Sequence, residues 1–193
     1  MKKNKELNLR SRKSISLILI AFLVNSSLSS QAGAILTSLN GFYYNKNIIH
    51  SDDTVTDSTQ SFLSLNISYL TSSRFILGVN SISDSTDSGT QIEKVTGYGP
   101  SLGYLFGSWV LEGTALSQME YSPNSSASQK WKEGSGYQVS LCFLSLGNLG
   151  VFWGFQWVYR AVDYKKYFDG QDFIENKRKV SETFPQVKIG YAF

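Results

Sequence analysis

Apolar and polar residues alternate along most of the chain beyond residue 34. In the segment 63–69, leucine, isoleucine and tyrosine occupy the odd positions, whereas serine and asparagine occupy the even ones. In the segment 151–159, every odd position holds valine, tryptophan, phenylalanine or tyrosine. A period of two residues is typical of a β-strand with one apolar face. Beyond residue 34 no apolar run approaches the roughly 20 residues that a membrane-spanning helix needs. The pattern therefore predicts an all-β protein.

Eight such segments can be counted, and their connections alternate between short and long. The predicted strands are residues 35–44, 61–70, 74–82, 94–105, 109–121, 135–146, 150–164 and 179–193. Tight turns at one end and long polar loops at the other are typical of up-and-down barrels in the outer membrane. Two prolines, Pro100 and Pro185, fall inside predicted strands, where each removes a hydrogen-bond donor. We expect each to mark a bulge or a strand extension.

The alternation by itself leaves open which face meets the solvent. In a soluble sandwich or barrel the large side chains form the core, whereas in a membrane barrel they meet lipid and the small polar ones line the interior. The connection lengths and the closure of unpaired edges favour the second arrangement. We therefore predict an eight-stranded antiparallel up-and-down transmembrane β-barrel, with a soluble periplasmic lipocalin-like barrel as the alternative.

The first 34 residues have the order of a secretory signal peptide. Lysine and arginine dominate residues 2–13, an apolar run covers 15–24, and Ala32 and Ala34 form an A-x-A cleavage motif. We predict Sec-type export with cleavage after Ala34, or after Ala32, which leaves residues 35–193 as the mature barrel. Removal of this segment changes the formal charge from +3 to about −2. The sequence therefore gives no support for a nucleic-acid partner.

Composition limits the available chemistry. The chain has one cysteine and one histidine, so an intrachain disulfide is excluded and a zinc site of the usual ligands is disfavoured. No cofactor is predicted. The aromatic share of 14% and the charged share of 17% suit a wall that faces lipid. His50, with Asp84 and Ser85 in the next loop, keeps a lipid A-modifying enzyme open as an alternative, although we expect no catalytic site.

The last seven residues carry a resemblance to a known class. In 187–193 the alternate positions are Val187, Ile189, Tyr191 and Phe193, and the chain ends in phenylalanine. This resembles the C-terminal signature of Gram-negative outer-membrane barrels. The architecture is similar to the eight-stranded class of the outer-membrane protein A transmembrane domain and the outer-membrane protein X and W families. The resemblance implies an outer-membrane location, with the barrel assembly machinery and periplasmic chaperones as partners during biogenesis.

Charged residues inside a narrow barrel must be paired, because burial of an isolated charge is costly. Extending the alternation places Glu112, Glu120, Arg160 and Lys188 on the inner face. We hypothesise an interior charge network that pairs Glu112 with Lys188 and Glu120 with Arg160. Such a network predicts a filled interior, with a narrow pore or small-solute channel as the alternative.

Basic residues cluster at the ends of the third and fourth long loops. Because lysine and arginine bind phosphate well, these residues are candidates for contact with lipopolysaccharide in the surrounding outer-membrane lipid. They are Lys130, Lys132, Lys177, Arg178 and Lys179. The sequence therefore predicts an integral outer-membrane barrel with a structural or surface-interaction role.

Overall fold

The computed structural model of the chain describes residues 33–49, 55–88, 92–123, 130–146 and 150–193, with side chains omitted at 45–49, 55–57 and 146. Within these ranges it contains eight strands. They are β1 (Ala34–Ile49), β2 (Val55–Leu70), β3 (Phe75–Asp87), β4 (Ile92–Phe106), β5 (Trp109–Ser122), β6 (Lys130–Leu146), β7 (Val151–Phe168) and β8 (Phe173–Ala192). The predicted signal peptide up to residue 32, and His50, lie outside the described residues.

Each strand pairs antiparallel with the next, and β8 pairs with β1 to close a barrel. The prediction of an eight-stranded antiparallel up-and-down barrel is therefore confirmed. No helix among the described residues is long and apolar enough to cross a membrane.

The barrel has an apolar outer wall, and its interior contains many polar side chains between apolar clusters. Large side chains on the outer wall are open to the surroundings, including Leu141 at 44% exposure and Trp157 at 54%. Asn40, Asn66 and Gln156 are buried in the interior instead. An apolar wall that surrounds a polar interior is the arrangement of membrane-spanning barrels and the reverse of a soluble one. This arrangement also explains why side-chain alternation reports the fold, since every strand has one face of each kind.

All eight strands are longer than a spanning strand requires, and β7 and β8 are the longest. A tilted strand crosses a bilayer in about 9–11 residues, whereas β7 has 18 and β8 has 20. Above Tyr159 the outward positions of β7 become polar, beginning with the exposed Asp163. The turn between β7 and β8 is organised by the Asp169 carboxylate, which accepts 2.9 Å hydrogen bonds from the backbone N–H groups of Gln171 and Asp172. The backbone N–H groups of Asp172 and Gln171 lower the pKa of Asp169.

We call the sheet formed by 130–135 of β6, 163–168 of β7 and 173–181 of β8 the projection. It rises beyond the apolar wall at the end of the barrel opposite the short turns. This end is the mouth of the barrel.

A β-bulge in β5 reverses the faces of that strand. The register between β5 and β6 shifts between Leu116 and Met119, and Gln118 has a positive φ of 51°. Leu116 and Met119 are both buried, so the inward positions are even below the bulge and odd above it. The prediction that Glu120 lies inside the barrel is therefore wrong, because one extra residue turns its side chain outward.

The seam between β1 and β8 is the shortest pairing in the barrel. It joins Leu36–Gly41 to Val187–Ala192, which is six residue pairs, and Ile35 and Phe193 extend it with two backbone hydrogen bonds. Pro185 lies two residues before Val187, which is the residue of β8 where pairing with β1 stops. Pro100 pairs opposite Val79, close to a register shift between β4 and β5.

Candidate functional site: the barrel interior and its mouth

The end of the barrel near the short turns is closed by an apolar cluster. Its members come from the first or last residues of several strands and are all buried. They include Leu36, Leu70, Ile76, Leu105, Val110 and Phe152. Cys142 belongs to this cluster and is a free thiol. Packing of these apolar side chains closes this end of the barrel.

A buried ion pair lies directly above the apolar seal. Lys188 Nζ lies 3.5 Å from Glu112 Oε2, and both residues are buried. Asn66 Nδ2 donates a 2.8 Å hydrogen bond to Glu112 Oε1. The cavity around this pair measures only about 10 Å³. The structure thus brings Glu112 and Lys188 together, as the alternation of β5 and β8 suggests.

Amide and aromatic side chains fill the next level. Gln156 Nε2 donates a 2.6 Å hydrogen bond to Gln186 Oε1. The rings of Phe62 and Phe184 are stacked with centroids 4.0 Å apart, and Val158 is buried against them. This layer separates the lower ion pair from a second charged group nearer the mouth.

The second charged group is centred on Arg160, which is 1% exposed. Arg160 Nε and Nη2 donate hydrogen bonds of 2.8 and 2.5 Å to Glu182 Oε1, and Nη2 also donates to Asp84 Oδ2. The backbone N–H of Leu63 donates to Asp84 Oδ1 at 3.0 Å. The guanidinium carbon lies 5.1 Å from the centre of the Phe184 ring. We call Arg160, Asp84 and Glu182 the charged triad.

The expected partnership of Arg160 with Glu120 is therefore wrong. The bulge in β5 sends Glu120 to the outer surface, where its carboxylate lies 4.0 Å from Lys132 Nζ. The sequence pattern did not identify Asp84 as a partner of Arg160, because it ends β3 at Ile82, whereas the strand continues to Asp87. Glu182 could have been found, since it shares the even parity of Lys188 along β8.

A cavity of about 130 Å³ lies above the charged triad, in the mouth of the barrel. The triad forms part of its lining, and Phe62, Tyr121 and Tyr164 add aromatic walls. Arg178 also lines it, with its guanidinium carbon 4.2 Å from the centre of the Tyr121 ring. Arg178 is half-buried and lies in the mouth, apart from the outward-facing lysines of the projection, and its contact with lipopolysaccharide stays a prediction.

The other basic residues lie on the projection. Lys179 Nζ lies 3.5 Å from Asp163, and Lys132 Nζ lies 5.6 Å from the centre of the Phe173 ring in addition to its contact with Glu120. Lys177 is exposed and lines an open groove of about 690 Å³, and Lys130 is half-buried. The groove also contains Glu133, Lys165, Lys166, Glu175 and Asn176.

The catalytic alternative involves His50, which lies outside the described residues, with Asp84 and Ser85. Asp84, which the sequence placed in a loop near His50, is held inside the barrel by Arg160. Among the described residues no group of three or more His, Cys, Asp or Glu side chains is placed to hold a metal ion.

Comparison with known proteins gives one structural likeness. The sequence matches no family model, and no curated protein matches it. Among solved structures, the solid-state NMR structure of outer membrane protein AlkL in DMPC lipid bilayers is similar, with 14% sequence identity and a TM-score of 0.49 over 84% of this chain and 91% of that one. The class of the protein follows from its own geometry, which is that of a small membrane-spanning β-barrel with an apolar wall and a filled interior.

Proposed function

We propose that the protein is an integral outer-membrane barrel that is sealed along its axis and acts through its surface. The observation that carries this proposal is the filling of the interior. An apolar cluster, the Glu112–Lys188 pair, an amide and aromatic layer and the charged triad follow one another from the short turns to the mouth. An ion that crossed the barrel would have to displace each layer in turn, and separating a buried ion pair costs several kcal/mol (about 3–5).

A planar-bilayer experiment tests the seal. We expect the refolded protein to produce no discrete conductance steps at voltages where a porin, inserted in parallel, gives clear ones. The folded state is verified in the same sample by its faster gel mobility without boiling. Regular steps that disappear when the sample is boiled would favour the narrow-pore alternative and contradict the proposed seal.

The location and the assembly route belong to the same proposal. An apolar wall of this extent requires lipid around it, and the alternate residues Val187, Ile189, Tyr191 and Phe193 have the pattern that the assembly machinery of the outer membrane reads in barrels of this class. Phe193 is 74% exposed, so it is accessible at the end of β8. We propose that periplasmic chaperones deliver the exported chain and that this segment is recognised during insertion.

We further propose that the outer face of the projection contacts lipopolysaccharide. Its cations lie beyond the apolar wall, which is where we expect the phosphate groups of the outer leaflet. Lys132, Lys166 and Lys179 have acidic neighbours within 4.0 Å. Lys165 and Lys177 have no such neighbour among the described residues, and both line the open groove. Free ammonium groups on the lipid-facing side are suited to bind phosphate as point charges.

Charge reversal in the groove tests this contact. We expect Lys165→Glu with Lys177→Glu to reduce the amount of lipopolysaccharide that copurifies with the barrel and the thermal stabilisation that added lipopolysaccharide gives. Lys94→Glu is the control, since Lys94 is also an exposed lysine and lies near the mouth end of β4, away from the groove. Equal lipopolysaccharide binding by the double variant and the control would contradict a contact at the groove.

A further inference from the structure

The mouth cavity has an unused hydrogen-bond donor in its lining. Arg160 Nη1 is buried and has no hydrogen-bond partner among the described residues, although Nε and Nη2 are fully engaged. A buried N–H group without an acceptor loses the hydrogen bond that it makes in water, and this costs about 1–3 kcal/mol or more for a charged group. Native proteins satisfy nearly all such groups. An acceptor supplied from outside the chain would satisfy this one.

The same cavity offers an acceptor close to that donor. Glu182 accepts both hydrogen bonds from Arg160 on Oε1. Oε2 has no hydrogen-bond donor among the described residues, so it is open to a donor from a ligand. The side chain of Glu182 is about one-third exposed, so a ligand that enters the cavity can reach its carboxylate. Glu93 adds a second carboxylate near the rim. A ligand that both accepts and donates hydrogen bonds fits this lining.

Charge and size narrow the ligand class. The lining holds two guanidinium groups, of Arg160 and Arg178, and three carboxylates, of Asp84, Glu93 and Glu182. This excess of one negative charge disfavours a phosphate or carboxylate ligand. A cavity of about 150 Å³ is known to admit benzene. The mouth cavity of about 130 Å³ is close to that size and opens to the outside beside the partly exposed Glu182, so a six-membered ring can enter while its substituents extend toward the opening. Aromatic walls from Phe62, Tyr121 and Tyr164 present apolar surface to a ring.

We propose that the mouth cavity binds a single hydroxylated six-membered ring, namely a neutral or amino monosaccharide unit. A ring hydroxyl oxygen accepts a hydrogen bond from Arg160 Nη1. A hydroxyl or ammonium group of the same ring donates to Glu182 Oε2. The ring lies against the aromatic walls and replaces the water that otherwise occupies the cavity.

NMR titration of valine methyl groups in the refolded, detergent-solubilised chain tests the proposal. D-glucose and D-glucosamine are the probes, and inorganic phosphate is the anionic comparison. We expect at least one of the two sugars to cause saturable shifts at Val95, Val162 and Val180, which line the cavity, and not at Val139 or Val187 on the outer wall. Phosphate should cause none. Absence of saturable shifts with both sugars would overturn the proposal, as would equal shifts with phosphate.

Two variants locate the binding. Val180→Phe fills the cavity but retains all five charged groups, and we expect it to abolish the sugar-dependent shifts while the barrel keeps its unboiled gel mobility. Arg160→Lys keeps the charge but removes the free Nη1 donor, and we expect several-fold weaker binding. Shifts that persist unchanged in Val180→Phe would place the sugar elsewhere and overturn the proposal even if Arg160→Lys fails to fold. Conductance is measured separately, so a negative titration leaves the sealed-barrel proposal untouched.

Discussion

Replacement of Arg160 with leucine is expected to lower the free energy of unfolding by about 3–5 kcal/mol, which is the usual cost of removing one member of a buried ion pair. Asp84 is buried and Glu182 is partly buried, and both carboxylates point at the guanidinium. Without Arg160 they would face each other inside the barrel with no cation between them. Urea unfolding of the barrel in lipid vesicles, followed by the loss of the fast-migrating gel band, measures the change.

A neutral triad is the matched control for this variant. Arg160→Met combined with Asp84→Asn and Glu182→Gln removes the cation and both carboxylates, so no uncompensated charge remains. We expect the triple variant to recover most of the stability that Arg160→Leu loses, because well-packed neutral groups often replace a buried ion pair without penalty. If Arg160→Leu unfolds at the wild-type urea concentration, the triad does not hold the upper barrel together.

Replacement of Phe193 with alanine is expected to remove most of the assembled protein from the outer membrane while leaving the folded barrel intact. The side chain does not fill the interior, since it is 74% exposed and contacts Tyr191 at a ring distance of 4.7 Å. The two hydrogen bonds between Phe193 and Ile35 involve backbone atoms only, so alanine retains them. A large loss of assembled protein in cells, with little change in the folding of the purified protein, would therefore indicate weaker recognition by the assembly machinery.

The experiment compares membrane fractions in cells with refolding in detergent. Phe75→Ala is the control, because Phe75 is also an exposed phenylalanine at the turn end of the barrel, with 47% exposure. We expect Phe75→Ala to assemble at close to the wild-type level. Normal assembly of Phe193→Ala would contradict a role for the terminal residue in recognition. Equal failure of both variants in cells and in detergent would indicate a packing defect.

The fold could be predicted because the same physical rule governs every strand. A barrel wall between lipid and a polar interior imposes a two-residue period, and the periodic segments in the sequence lie within all eight strands. The strand ends nearest the mouth were the least predictable. Beyond the apolar wall the two-residue alternation is lost, so the segments 83–87 of β3 and 165–168 of β7 resemble loops in sequence although they are paired.

The positions and partners of the interior charges were only partly predictable. Glu112 and Lys188 lie in regular parts of β5 and β8, where counting by two gives the correct face. Glu120 lies beyond the bulge at Gln118, and no sequence signal marks this bulge, since glutamine has no special preference for a positive φ. The partners of Arg160 depend on strand stagger around the barrel, because Asp84 is 76 residues away in the chain.

The short seam between β1 and β8 has a consequence for the order in which the barrel forms. The other neighbouring strands are connected by hairpins, so their pairing is local and closes small loops. The seam joins the first strand to the last, so its formation closes the largest loop among the strand pairings. It gains only six residue pairs for that loop-closure entropy. Pairing of β1 with β8 is therefore expected to be the slowest and least stable step of barrel formation. When the barrel unfolds, it should open first between these two strands.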